Sequence, residues 1–528
     1  MQRRQLLAAA GGGIATLAAP RLGSAQAASV LRFKPQTDLT ILDPVFTTSY
    51  ASRFLGLASY DTLYGMDDQL NPHPQMVAGH VVENEGRLWR LTLRDGLRFH
   101  DGQPVRARDA VASIRRWGAV DVLGQLLMAA TDEISAPSDR EIVFRLKRPF
   151  PLLPNALGKS TSYVPVIMPE RLVPADPRQQ VTEVMGSGPY RFKPDERVSG
   201  VRVVWEKFEG YVPREGSVTQ FTSGPKIAHI NRIEWNYIPD HATAVAALIN
   251  GELDWIEDVL LDLAPRLRSA RQVTVGTFNP PGHMGVFRLN HLQPPFDNPA
   301  IRRVALMAVN QTEIVTSVAG EDAAQWNDRV GVFAPISPMA SDAGLEVLTG
   351  PRDYAAARRA LQAAGYRGET IVFISAIDNF GMNQQAMVAA DQLRRAGFTV
   401  DVVPIAFGVW LQRRGSRNPP EQGGWSCTCT ILPGLDFWDP ISHLALRGNG
   451  LSAWPGWPTS PELETLRDRW VAASDLPSRQ VIAREMQLQS WKDVPYIPTG
   501  NWRDLTAYRR NLTGMLNGGA MFYNLKKG

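Results

Sequence analysis

The sequence predicts an α/β protein with mixed sheets, and three observations carry that prediction. Short apolar or alternating runs recur between helical stretches along the chain. Ile371-Val372-Phe373-Ile374, a helix from Met387 to Ala396 stopped by Gly397, and Thr399-Val400-Asp401-Val402-Val403 read as one β-α-β unit, which requires a parallel strand pair. Gly186-Ser187-Gly188-Pro189 leading into Tyr190-Arg191-Phe192, with Val201 to Glu206 as its partner, reads as an antiparallel hairpin.

In chain order, Val30 to Phe33 is a short strand entering a loop closed by Asp43-Pro44, and a helix follows from about Ser49 to Ser59. Trp89 to Arg94 alternates apolar and polar residues as a half-buried strand, with Asp95-Gly96 and Asp101-Gly102 as turns. Arg108 to Trp117 is an amphipathic helix with Asp109 near its positive end. Glu141 to Leu146 is a strand ended by prolines, and Gly186 and Gly188 read as backbone hinges. Ala242 to Gly251 is a short helix before the strand Leu253 to Ile256. From about residue 280 the pattern restarts, with helices at 301–310 and 354–364 before the β-α-β unit.

The chain has 528 residues, enough for three domain-sized units that bury their cores without disulfides. Its first 27 residues have the grammar of an export signal: basic Arg3-Arg4, an Ala/Gly-rich run from Ala8 to Ala19, and Ala25-Gln26-Ala27 as a small-x-small cleavage site. Arg3-Arg4 before two leucine positions reads as a twin-arginine signal, with the general secretory route as the alternative. Cleavage removes Arg3, Arg4 and Arg21 and no acid, leaving 53 Lys+Arg against 52 Asp+Glu. A nearly neutral mature chain has no field that favours nucleic acid or an anionic membrane.

Sequence chemistry supplies no reason to propose catalysis. Leu153 stands where a phosphate-binding loop ending in Gly158-Lys159-Ser160 requires glycine. The chain has neither H-E-x-x-H nor G-x-S-x-G, and its eight histidines are scattered without a pair at helical ligand spacing. No metal site and no cofactor are expected. Cys427 and Cys429, one residue apart, are expected to be buried free thiols, since bridging them closes a strained small ring; a redox pair or half a metal site are the alternatives.

The run from Leu91 through Arg94-Asp95-Gly96, Phe99-His100-Asp101-Gly102 and Val105 to Ala110 resembles the signature of extracytoplasmic solute-binding proteins, family 5, of peptide/nickel-type ABC transporters. The resemblance continues through Gly186-Ser187-Gly188-Pro189-Tyr190, Ile238-Pro239-Asp240, Pro294 to Ala305, Gln392 to Phe398 and Val494-Pro495-Tyr496-Ile497-Pro498, so it spans nearly the whole mature chain. It implies a two-lobed periplasmic-binding-protein fold with hinge-linked lobes and an extra small domain. The implied division is a signal peptide at 1–27, a first lobe at 28–60, 188–276 and 497–528, an added domain at 61–187, and a second lobe at 277–496.

The resemblance also implies ligand contacts. In peptide-binding relatives a cleft Trp is followed by an Asp that takes the ligand's α-amino group three residues before an Asp-Pro pair; Trp425 and Asp436, ahead of Asp439-Pro440, match. A carboxylate in a dry cleft is a strong partner for an ammonium group; the alternative for Asp436 is a turn or helix-cap carboxyl. Thr47, Thr48 and Tyr50 match the first-lobe loop that meets the ligand backbone, or Thr47 and Thr48 cap the next helix. Phe407 matches a cleft aromatic and Phe380 follows the strand whose loop faces the cleft, with core packing as the alternative for both.

The function implied is a periplasmic receptor, not an enzyme, that captures a small peptide or peptide-like solute by hinge closure. Its partners are that ligand and the ABC permease subunits, with no nucleic acid, and it is expected to be a monomer. Alternatives are an opine, glutathione-like, haem or nickel-chelate cargo, an exported hydrolase, or a periplasmic sensor or chaperone.

Overall fold

The computed structural model describes residues 29–218, 221–279, 281–473 and 475–528, so the expected signal segment lies outside the described residues. Three larger sheets organise them. A seven-stranded sheet runs in the order Val273–Gly276, Leu505–Arg509, Trp255–Val259, Val30–Lys34, Arg232–Asn236, Arg202–Lys207, Tyr190–Phe192. A six-stranded sheet runs Trp326–Asn327, Ile497–Trp502, His283–Leu289, Cys427–Pro433, Ile371–Ala376, Val400–Ile405. Val77–Glu83, Leu88–Leu93, Glu141–Leu146 and Thr131–Ser135 form a smaller antiparallel sheet.

The β-α-β reading is realised: Ile371–Ala376 and Val400–Ile405 pair in parallel across the helix Phe380–Arg395. That helix starts earlier than the expected Met387, because the Asn379 side chain accepts the Met382 N–H and caps it. Gly381 and Asn383 are weak helix formers, which hides the start in the sequence. The predicted hairpin also forms, Tyr190–Phe192 pairing antiparallel with Arg202–Lys207.

Two expectations need correction. Ile497–Trp502 pairs antiparallel with His283–Leu289 in the six-stranded sheet, and the chain rejoins the seven-stranded sheet only at Leu505. The boundary at 497 therefore falls one strand too early. Pro498 suggests a break, but it sits opposite Val286 at a register shift, where a missing N–H is tolerated. Gly186 and Gly188 are not hinges either. A Cβ on Gly186 would lie 1.9 Å from the Ser59 carbonyl oxygen, and one on Gly188 would lie 2.7 Å from that of Tyr60. These glycines let the segment press against the end of the helix Tyr50–Ser59. His100 fastens the small sheet there: its N–H donates to Gly186 and its Nε2 meets the Gly188 carbonyl.

Candidate functional site

The two large sheets present the same kind of edge to each other. Val30–Lys34 is parallel to both Arg232–Asn236 and Trp255–Val259, so Lys34, Asn236 and Val259 end on one side. Ile371–Ala376, Val400–Ile405 and Cys427–Pro433 are also mutually parallel, so the loops after Ala376, Ile405 and Pro433 leave from one side. Ligands of open α/β sheets bind outside such carboxyl ends. Here both sets of ends line one cleft, in which Gln36 borders three adjoining cavities.

The cavities are small, about 60, 30 and 50 Å³. Thr48, Tyr50 and Phe407 line the second, and Tyr50 also lines the third. Phe380, the first residue of its helix, lines the first beside Asp378 and Asn379. Thr47 is buried, its hydroxyl accepting the Ser49 N–H, and neither Thr47 nor Thr48 caps the helix, whose N-cap is Ser49.

Trp425 and Asp436 are not brought together. Seven residues of strand, roughly 23 Å at the usual rise, stand between them. Trp425 is fully buried, packed with Trp410 and Trp457 in an aromatic cluster, and its carbonyl accepts from Asn290. Asp436 is buried in the turn after the strand. It is not the turn's cap: its Oδ1 accepts the Ser162 N–H at 3.2 Å and its Oδ2 the Ser162 hydroxyl at 2.6 Å. The capping role falls to Asp439, which accepts from Ile441 and Ser442.

Beside this stands an unanswered charge. Arg414 is 6 % exposed, lines the cavity that contains Tyr50 and Phe407, and lies over the Trp410 and Trp454 rings at 4.7 and 4.8 Å. Among the described residues no hydrogen bond or ion pair reaches it, and its Nε is enclosed without an acceptor. Burial pulls its pKa down to about 10, which leaves it charged at neutral pH. Burial pushes the Tyr163 hydroxyl up, and the charges of Arg414, Asp121 and Asp436 also act on it.

Where the chain crosses between the sheets, Tyr50 Oη lies 3.0 Å from His283 Nδ1, and His283 Nε2 lies 2.6 Å from Asp504. Deeper in the cleft, burial pushes the Glu257 carboxyl up to about 7, although the Gln36 N–H donates to it.

The family model for bacterial extracellular solute-binding proteins, family 5, matches residues 71–421. The chain belongs to this family. Among the relatives of this solute-binding protein is a probable peptide ABC transporter periplasmic-binding protein of Sinorhizobium fredii, 34% identical over 98% of this chain and 97% of its own. The fold is that of a periplasmic binding protein from A. tumefaciens R10 solved with agropinic acid (TM-score 0.78, 18% identity, 94% of this chain and 99% of that one). It matches equally a periplasmic binding protein of Helicobacter pylori solved with the peptide STSA (TM-score 0.76, 18% identity, 94% and 98%). Those structures share its two-lobed architecture. Among the described residues no helix is long and apolar enough to cross a membrane.

Sequence reasoning took Phe407 for the cleft of this solute-binding protein but missed Trp410 and Arg414 on the same helix. The signal was present: positions 407, 410 and 414 follow i, i+3, i+7 spacing and share one face of Phe407–Arg414. Gln36, His283 and Asp504 carry no local signal, because only the crossing of two sheets brings them to the cleft.

Proposed function

We propose that this solute-binding protein is exported, with Arg3-Arg4 as a twin-arginine signal, and serves in the periplasm as the monomeric receptor of an ABC importer for short peptides with free ends. The observation that carries the reading is Arg414, a buried cation held by two indoles at the cleft with no counter-ion among the described residues. Burying a lone charge is costly, so a site that keeps one is built for an anion brought by the ligand. Asp436, now bonded to Ser162, supplies the carboxylate for the ligand's ammonium group once Ser162 gives way to it. Tyr50, Thr48 and Phe407 line the cavity that Arg414 borders, and Phe380 lines the adjoining one. The name of the Sinorhizobium relative supports a peptide cargo. Contacts completed only when the lobes meet shift the hinge equilibrium toward the closed form, which docks on the permease.

Calorimetry on a tripeptide and its N-acetyl analogue tests the amine end. The wild type should prefer the free amine, and Asp436→Asn should lose about 1.5–3 kcal/mol, roughly tenfold to a hundredfold, on the free peptide alone. If both proteins bind both ligands equally, the amine assignment fails and a non-peptide cargo leads.

A further inference from the structure

We infer that the preferred cargo ends in a large aromatic residue, whose side chain occupies a chamber behind Arg414. This rests on the peptide reading above and narrows it to a substrate class.

The chamber lies between the small-sheet unit and the segment 444–457 and encloses about 340 Å³. Ligand pockets run from roughly 300 to 1,000 Å³; the three cleft cavities, at 30 to 60 Å³, are too small for a bulky side chain. Arg414 connects the two spaces. It lines the middle cleft cavity, while its neighbour Gly415 and the Trp454 ring beneath it line the chamber. A carboxylate paired with Arg414 therefore belongs to the residue whose side chain stands at the chamber, and that residue is the C-terminal one.

The walls select the side chain. Phe46, Tyr163, Trp454 and Trp457 offer aromatic surface, with Val122 and Leu444 between them. The charged lining residues are Arg178, Arg417 and Arg447, and no carboxylate is among them. Arg447 is already paired with Glu464 at 2.9 Å, and Arg417 lies 5.6 Å over Trp457 while donating to the Leu451 carbonyl. A basic side chain would meet like charge with no carboxylate in the lining to pair with. An aromatic one meets ring faces and the positive rim, a favourable setting for its π-cloud. The Trp454 indole N–H is a second indication: the residue is 3 % exposed, and that donor has no acceptor among the described residues. Arg414 already covers the Trp454 ring face at 4.8 Å, so a carboxylate answers the guanidinium at its edge rather than between the two groups.

The test is calorimetry on the mature wild-type protein with Ala-Ala-Ala, Ala-Ala-Phe, Phe-Ala-Ala and Ala-Ala-Lys. Ala-Ala-Phe should bind about tenfold tighter than Ala-Ala-Ala, the gain expected from burying one aromatic ring net of its ordering, and Ala-Ala-Lys should bind weakest. Leu451 lines the chamber mouth and is 57 % exposed, so Leu451→Trp can narrow the space without disturbing the core. That variant should lose most of the Ala-Ala-Phe advantage and keep the wild-type affinity for Ala-Ala-Ala. Affinities blind to the C-terminal residue, or a preference for Phe-Ala-Ala, overturn the inference alone. Failure of every peptide to bind overturns the peptide reading with it.

Discussion

Arg414 shows what burial and charge do when they oppose each other at one residue. Its guanidinium is stacked but unpaired, so the ligand-free fold carries an uncompensated charge. Replacing even a buried ion pair with well-packed apolar side chains is often neutral or stabilising by about 1–4 kcal/mol, and an unpaired charge has no partner's attraction to offset its desolvation. Arg414→Met should therefore raise the stability of the empty protein by about 1 kcal/mol or more in urea unfolding, while calorimetry shows peptide binding lost. A variant both less stable and binding-competent would show that Arg414 is structural. Glu257 gives a pH signature. Its native carboxyl keeps a proton up to about 7, against an ordinary value of 4.5, so the native state binds more protons than the unfolded chain between those limits. Stability falls as pH rises through that window and levels off above it. The melting-temperature gap between Glu257→Gln and wild type should widen from pH 5 to pH 7; a constant gap contradicts the shift. Motif position made Tyr50 and Asp436 legible as candidates, but it cannot show which polar groups lack partners, so Arg414 stayed hidden.

The element scale explains which sequence signals survive folding. Periodicity and caps located the β-α-β unit, because each of its elements is set by local pattern. The two ends of the Trp425–Asp436 motif lie apart, because the stretch between them is a continuous strand, Cys427–Pro433. That strand also buries both thiols as free cysteines, and burial pushes each thiol upward in pKa. Alkylation under denaturing, non-reducing conditions should add two labels by intact mass; none would mean a bridge. The glycines of Gly186-Ser187-Gly188 were legible as special, but their purpose was not, since the Ser59 and Tyr60 carbonyls they touch lie far away in sequence. Gly186→Ala should destabilise by at least about 1–3 kcal/mol, the cost of overpacking, because the obstacle at 1.9 Å is backbone. A loss below about 0.5 kcal/mol, the range of a neutral surface change, would show that the segment yields.

At the scale of the molecule, the sheets communicate through the two crossings next to His283 and Asp504. Tyr50, on the helix Tyr50–Ser59, reaches His283 in the six-stranded sheet, and Asp436 reaches Ser162. The family resemblance anticipated two lobes and a hinge, whereas the return of the chain one strand later than expected depends on pairing with His283–Leu289, which no local pattern encodes. The account turns on one claim: the closed cleft recognises a free carboxylate through Arg414. Native mass spectrometry of the mature protein, incubated with a tripeptide library as free acids and the same library as C-terminal amides, tests it directly. The account predicts retained masses from the free acids and none from the amides, with Arg414→Met retaining neither. Equal retention of acids and amides, or of neither by the wild type, would contradict it.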